Sequence, residues 1–90
     1  MFKYSQMTPQ QRARLRKLCT EMQNYDCLYC GGKLYAKPPQ EILDKPIDWS
    51  LFPPNFLKYP VHLQHNHYTD ETEGAVHAYC NAVMWQYEGR

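Results

Sequence analysis

The chain has no apolar run approaching the roughly 20 residues that a membrane-crossing helix needs, and its mean hydropathy is −0.74. A membrane-spanning helix is therefore excluded. Its first residues also lack the unbroken apolar stretch of a secretion signal, because Tyr4, Ser5, Gln6, Thr8 and Gln10 interrupt it. The setting this favours is intracellular, cytoplasmic and reducing. Glycine is scarce, at four residues, net charge is only +1, and internal repeats and low-complexity segments are absent. Ninety residues suffice for one domain, read here over residues 1–90. A chain of that size buries only about 60% of the surface it exposes when unfolded, so a staple is expected.

Four cysteines are present, and in a reducing compartment closely spaced cysteines are more often metal ligands than disulfide partners. The expected staple is then a metal. The charge that exists is unevenly placed. Residues 1–20 hold Lys3, Arg12, Arg14, Arg16 and Lys17 without one acid, which leaves the other seventy with a balance of −4. Residues 59–90 carry a single base, Arg90, against Asp70, Glu71, Glu73 and Glu88. Any basic footprint for a phosphate partner must lie at the N-terminal end, on Arg12, Arg14, Arg16 and Lys17.

Local signals divide the chain into an N-terminal helix (residues 8–24) and a core (25–90). Thr8-Pro9-Gln10-Gln11 combines an N-cap, a proline at the first helical position and a capping-box glutamine, so a helix should run from about Pro9 to Asn24. Leu15, Leu18, Cys19 and Met22 recur at helical spacing as one apolar stripe, which makes Cys19 a core thiol rather than a ligand. Six of the seven prolines fall between Gly31 and Val61. That segment reads as a loop-rich insert with one short helix near Gln40–Lys45, fastened to the core by Trp49, Leu51, Phe52 and Phe56. Val61–Gln64 and Ala75–His77 read as a hairpin around the polar loop 68–73. Asn81–Glu88 reads as a closing helix of about two turns.

The chemistry sits on two motifs. Cys27-Leu28-Tyr29-Cys30, followed by Gly31-Gly32, is half of a metal knuckle, and His77-Ala78-Tyr79-Cys80 is the matching half. Cys27, Cys30, His77 and Cys80 form a Cys3His set, the thiolate and imidazole donors that structural Zn2+ prefers. The 46 residues from Gly31 to Val76 exceed the usual zinc-ribbon gap of about 15 to 20, so a sizeable insert separates the halves. That insert ends in His62-Leu63-Gln64-His65-Asn66-His67, three of the four histidines within six residues. Their titration range suits proton transfer and metal binding.

From His62 onward, HLQHNHYTDETEGAVHAYCNAV resembles the core of the HNH nucleases and is most similar to the recombination endonuclease VII branch. Aligning His65 on that branch's central histidine brings Gly74, His77, Cys80 and Asn81 onto their counterparts without a gap, and Cys27 and Cys30 match its first zinc pair. The resemblance covers about residues 25–88, with the Pro-rich insert unmatched. It implies a small α+β, zinc-stapled ββα-metal fold, here with an N-terminal helix and the insert added. It also implies a metal-dependent endonuclease that hydrolyses DNA phosphodiester bonds, of the compact phage or mobile-element kind, and so a host cytoplasm.

By the same resemblance His65 is the general base, Asn81 a cation ligand, His67 a phosphate contact and His62 a support of the hairpin. Gln64 stands where the branch has a cation-binding aspartate, and Glu73 where it has an arginine. A neutral amide binds a hard dication less well than a carboxylate does, so Mn2+, Co2+ or Ni2+ is expected to serve better than Mg2+. The related branch dimerises through helical extensions that this chain does not show, which points to a single-strand nick. Monomer and homodimer both stay open. The alternative reading is a non-catalytic zinc module on the same scaffold that binds nucleic acid or a protein partner.

Overall fold

The computed structural model describes residues 2–89; Met1 and Arg90, with the charge assigned to Arg90 above, lie outside them. It is a small α+β arrangement. A 3-10 turn at Tyr4–Gln6 leads into α1 (Pro9–Met22), followed by α2 (Gln40–Leu43), a second 3-10 turn at Trp49–Leu51, β1 (Val61–His65), β2 (Thr72–His77) and α3 (Ala78–Glu88). The two strands pair antiparallel as one hairpin. α1 and α3 each pack on both strands.

Thr8 caps α1 with the expected reciprocal pair: its hydroxyl accepts from Gln11 N at 3.1 Å while its own N–H donates to Gln11 Oε1 at 2.8 Å. The helix stops at Met22, because Asn24 and Tyr25 both turn to positive φ. The expected apolar stripe is only partly used. Cys19 packs against the core, where burial raises its thiol pKa, but Leu18 is 50% and Met22 77% exposed. α1 instead fastens through polar chemistry at its end. Gln23 Nε2 donates to Asp26 O (2.8 Å) and Ala75 O (2.9 Å), and Gln23 Oε1 accepts from Ala75 N at 2.9 Å. Gly74 permits that approach, since a Cβ there would meet Gln23 Oε1 at 2.6 Å.

The hairpin departs from simple alternation. Leu63 and Gln64 are both buried, as are the four consecutive residues Gly74, Ala75, Val76 and His77, so both faces of the sheet are covered. β2 begins at Thr72, earlier than its apolar residues suggest, because Thr72 N also donates to Phe2 O at 3.0 Å. Gln64 pairs with Gly74 but His65 pairs with Thr72, which leaves Glu73 as an unpaired bulge and turns His65 away from the regular pleat.

α3 begins at Ala78, three residues before the expected start, with His77 as N-cap and Gly89 (φ 69°) as its left-handed C-cap. The core gathers Cys27, Leu34, Ile42, Ala75, Val76, Cys80, Val83 and Met84. The insert is fastened as its aromatics suggested: Trp49 meets Tyr79 edge-on at 5.7 Å, Phe52 meets Trp85 at 5.5 Å and Phe56 meets His62 at 4.7 Å. Leu51 is the exception, at half exposure.

Candidate metal centre and histidine cleft

Cys27, Cys30, His77 and Cys80 converge, with their donor atoms all within 4.8 Å of one another. The loop between the first two is shaped by Gly31, whose φ of 77° is open to glycine at little cost. It closes through Cys27 N to Gly32 O (2.8 Å) and Gly31 N to Cys27 O (3.0 Å). The second pair straddles the junction of β2 and α3.

His77 is oriented by its far nitrogen. Nε2 lies 2.9 Å from both Lys33 O and Ala36 O, and two carbonyl acceptors require the ring proton there, which leaves the Nδ1 lone pair as the donor. Nδ1 faces Cys30 Sγ at 3.4 Å and Cys80 Sγ at 3.6 Å. A tetrahedral site with Zn–S of about 2.3 Å and Zn–N of about 2.0 Å has an S···N edge of about 3.5 Å. The residues present therefore fit a four-coordinate ion of zinc type.

The electrostatics agree with thiolate ligation. The thiol of Cys27 is held down to about 4, first by a hydrogen bond from Cys80, against the opposing effect of burial, and then by the backbone at Cys30, His77 and Tyr29. Cys80 is pushed up by the same sharing with Cys27 and by burial. Burial raises Cys30 as well, opposed by the Gly32 N–H. Gly32 N and His77 N point at Cys30 Sγ and Cys27 Sγ, each at 3.4 Å. Sulfurs that must share protons with each other release them when a cation arrives.

The remaining histidines open on a separate cleft of about 600 Å³, lined by His62, His65, His67 and Asn81 together with Arg12 and Arg16. Asn81 Nδ2 lies 3.1 Å from His62 Nδ1, and burial lowers the His62 pKa, opposed in smaller part by the Phe56 backbone. An amide nitrogen only donates, so His62 Nδ1 accepts from it, and this leaves Asn81 Oδ1 for another partner. His62 therefore orients Asn81.

His65 is held by ring faces. Tyr4 stacks on it at 4.0 Å and 10°, His67 lies at 4.6 Å, and the Arg12 guanidinium covers the other side of Tyr4 at 4.0 Å. Burial first, then the neighbouring His67, lowers the His65 pKa. The ring is neutral at pH 7 and able to accept a proton.

Two groups of expected site residues lie apart from this cleft. Gln64 is not among its lining residues; it is 1% exposed, its Nε2 donates to His65 O at 2.9 Å, and its Oε1 has no partner among the described residues. Arg14 and Lys17 line other grooves of α1, so only Arg12 and Arg16 of the basic set reach the histidines. Among the described residues no Asp or Glu lines the cleft, and the nearby Asp70 carboxylate is engaged by the Ser5 N–H and hydroxyl. A donor set of imidazole and amide does not fit Mg2+, which favours carboxylate oxygen, whereas imidazole suits nickel, copper and zinc.

Tyr4 was invisible as a site residue in the sequence, because 61 positions separate it from His65 and no local pattern joins them. Among the described residues no helix is long and apolar enough to cross a membrane. No family model, curated protein or solved structure matches this chain.

Proposed function

We propose that this chain is a zinc-stapled HNH-type endonuclease that hydrolyses nucleic-acid phosphodiester bonds in the histidine cleft, nicking DNA. The observation that carries this reading is the meeting of a neutral, partly exposed His65 with Asn81, Arg12 and Arg16 in one cleft. His65 takes the proton from the attacking water. Arg12 and Arg16 bind the phosphate by charge-assisted hydrogen bonds, and His67, next to the base, contacts the same group. Asn81 Oδ1 and His67 are the atoms that would hold a divalent ion, whose part is to neutralise charge at the phosphate. The Cys3His centre holds β2, α3 and the 27–36 loop together and takes no part in the chemistry.

Supercoiled plasmid incubated with Mg2+, Mn2+, Co2+ or Ni2+ tests this. We expect nicking with the transition ions before Mg2+, and a loss of roughly 10²- to 10⁴-fold in His65→Ala with circular dichroism unchanged. Full activity in folded His65→Ala protein would falsify the assignment. The absence of any Asp or Glu from the cleft lining among the described residues favours a second reading, a nucleic-acid-binding module without hydrolysis. It replaces the first if no ion supports cleavage while binding persists.

A further inference from the structure

The cleft has a second wall that the hydrolytic reading leaves unused. The Pro-rich insert contributes Phe52, Phe56 and Tyr59, and α3 contributes Trp85. Phe52 and Phe56 touch at 4.7 Å, Phe52 meets Trp85 at 5.5 Å, and Phe56 meets His62 at 4.7 Å. The rings thus run without interruption up to the histidine that orients Asn81. Yet the wall is not closed over: Tyr59 is 62% and Trp85 41% exposed.

We propose that the cleft binds single-stranded nucleic acid, its unpaired bases stacked on this aromatic wall and its phosphates paired with Arg12 and Arg16. The inference rests on the reading of the cleft as a phosphodiester site and names its substrate class. Two arguments select the occupant. Exposed rings beside two guanidinium groups, with no Asp or Glu among the described lining residues, complement a polyanion with flat apolar faces rather than an apolar peptide. A duplex hides its base faces inside the stack, so a concave aromatic wall meets bases only where the strand is unpaired or the base is extruded. Stacking accepts every base, so little sequence preference is expected.

The test is fluorescence anisotropy of wild-type protein, with no divalent ion added, against labelled 20-nucleotide oligo-dT, oligo-rU and a 20-base-pair duplex. At least one single strand should bind tenfold or more tightly than the duplex. Tyr59→Ala should weaken that binding by roughly five- to a hundredfold, whereas Tyr59→Phe, which keeps the ring face, should restore it. The chain has two tryptophans, so in Trp49→Phe protein a bound single strand should quench the Trp85 emission saturably. Equal or tighter duplex binding, no single-strand binding, or a Tyr59→Ala protein of full affinity would overturn the inference. Single-strand binding without cleavage under any ion sinks the hydrolytic reading alone, and duplex-preferring binding with His65-dependent cleavage sinks this one alone.

Discussion

The knuckle and the cleft both depend on histidine, but they hold it by opposite means. His77 is 3% exposed, with one nitrogen committed to two carbonyls and the other aimed at sulfur. His65 is half-buried, has no hydrogen bond to its ring among the described residues, and is held by the faces of Tyr4 and His67. A ring fixed through its nitrogens has none left for a passing substrate and suits a permanent ligand. One fixed by its faces keeps both nitrogens for chemistry. The first arrangement builds the fold, and the second leaves an imidazole open on it.

The largest effect expected is at the knuckle. Structural zinc binding in small domains is worth on the order of 10 kcal/mol, so chelation or Cys27→Ala should abolish the circular dichroism signal of the fold, while His65→Ala should leave it intact. Elemental analysis should find one zinc per chain. A chelated protein with an unchanged spectrum would erase the contrast between the two regions.

Next in size is the tie between α1 and β2. Gln23→Ala leaves the Ala75 N–H without its partner, while the Ala75 carbonyl keeps the Leu28 N–H at 3.0 Å, at a cost of about 1–3 kcal/mol, and Gly74→Ala should cost a similar amount by pushing Gln23 aside. Thermal unfolding reads this as about 4–8 °C per kcal/mol for a chain of this length. Thr8→Ala, which removes the α1 cap, should cost about 1 kcal/mol.

The smallest effect is with pH. Burial lowers the folded-state pKa of both His62 and His65, so near pH 6 the unfolded chain binds more protons than the folded one. Their folded, neutral state is fully favoured above the ordinary histidine value of about 6.5 and loses ground as pH falls below it. Unfolding temperature should drop between pH 7.5 and 5.5, and less steeply in His62→Asn. An equal slope in the two proteins would remove His62 from the effect and leave it to His65.

What the sequence disclosed follows from how local its signals are. The α1 cap and each half of the knuckle span four residues, so both were legible. The hairpin and the aromatic anchors of the insert were legible from composition. The burial of Gln64 was not, because coverage of both sheet faces depends on α3 beyond the hairpin and on α1, which ends at Met22, far away in sequence. The bulge at Glu73 is a register event between strands, and its consequence for His65 has no local signature. The partial exposure of the α1 stripe shows periodicity marking an apolar face without saying how much partner surface the rest of a small protein can offer.

The N-terminal strap has a bearing on the order in which the molecule is completed. Tyr4 N donates to Asp70 O at 2.8 Å, Lys3 Nζ to Thr69 O at 2.9 Å, and Lys3 and Glu71 form an ion pair. These contacts join residues 66 to 68 positions apart, a longer loop than the 47 to 50 closed by the knuckle's hydrogen bonds. During synthesis the strap has no docking partner until residue 72 has left the ribosome. It follows that the Tyr4 ring reaches His65 only after the hairpin exists, and a nascent chain halted within that loop carries Tyr4 with Arg12 but no imidazole to stack on.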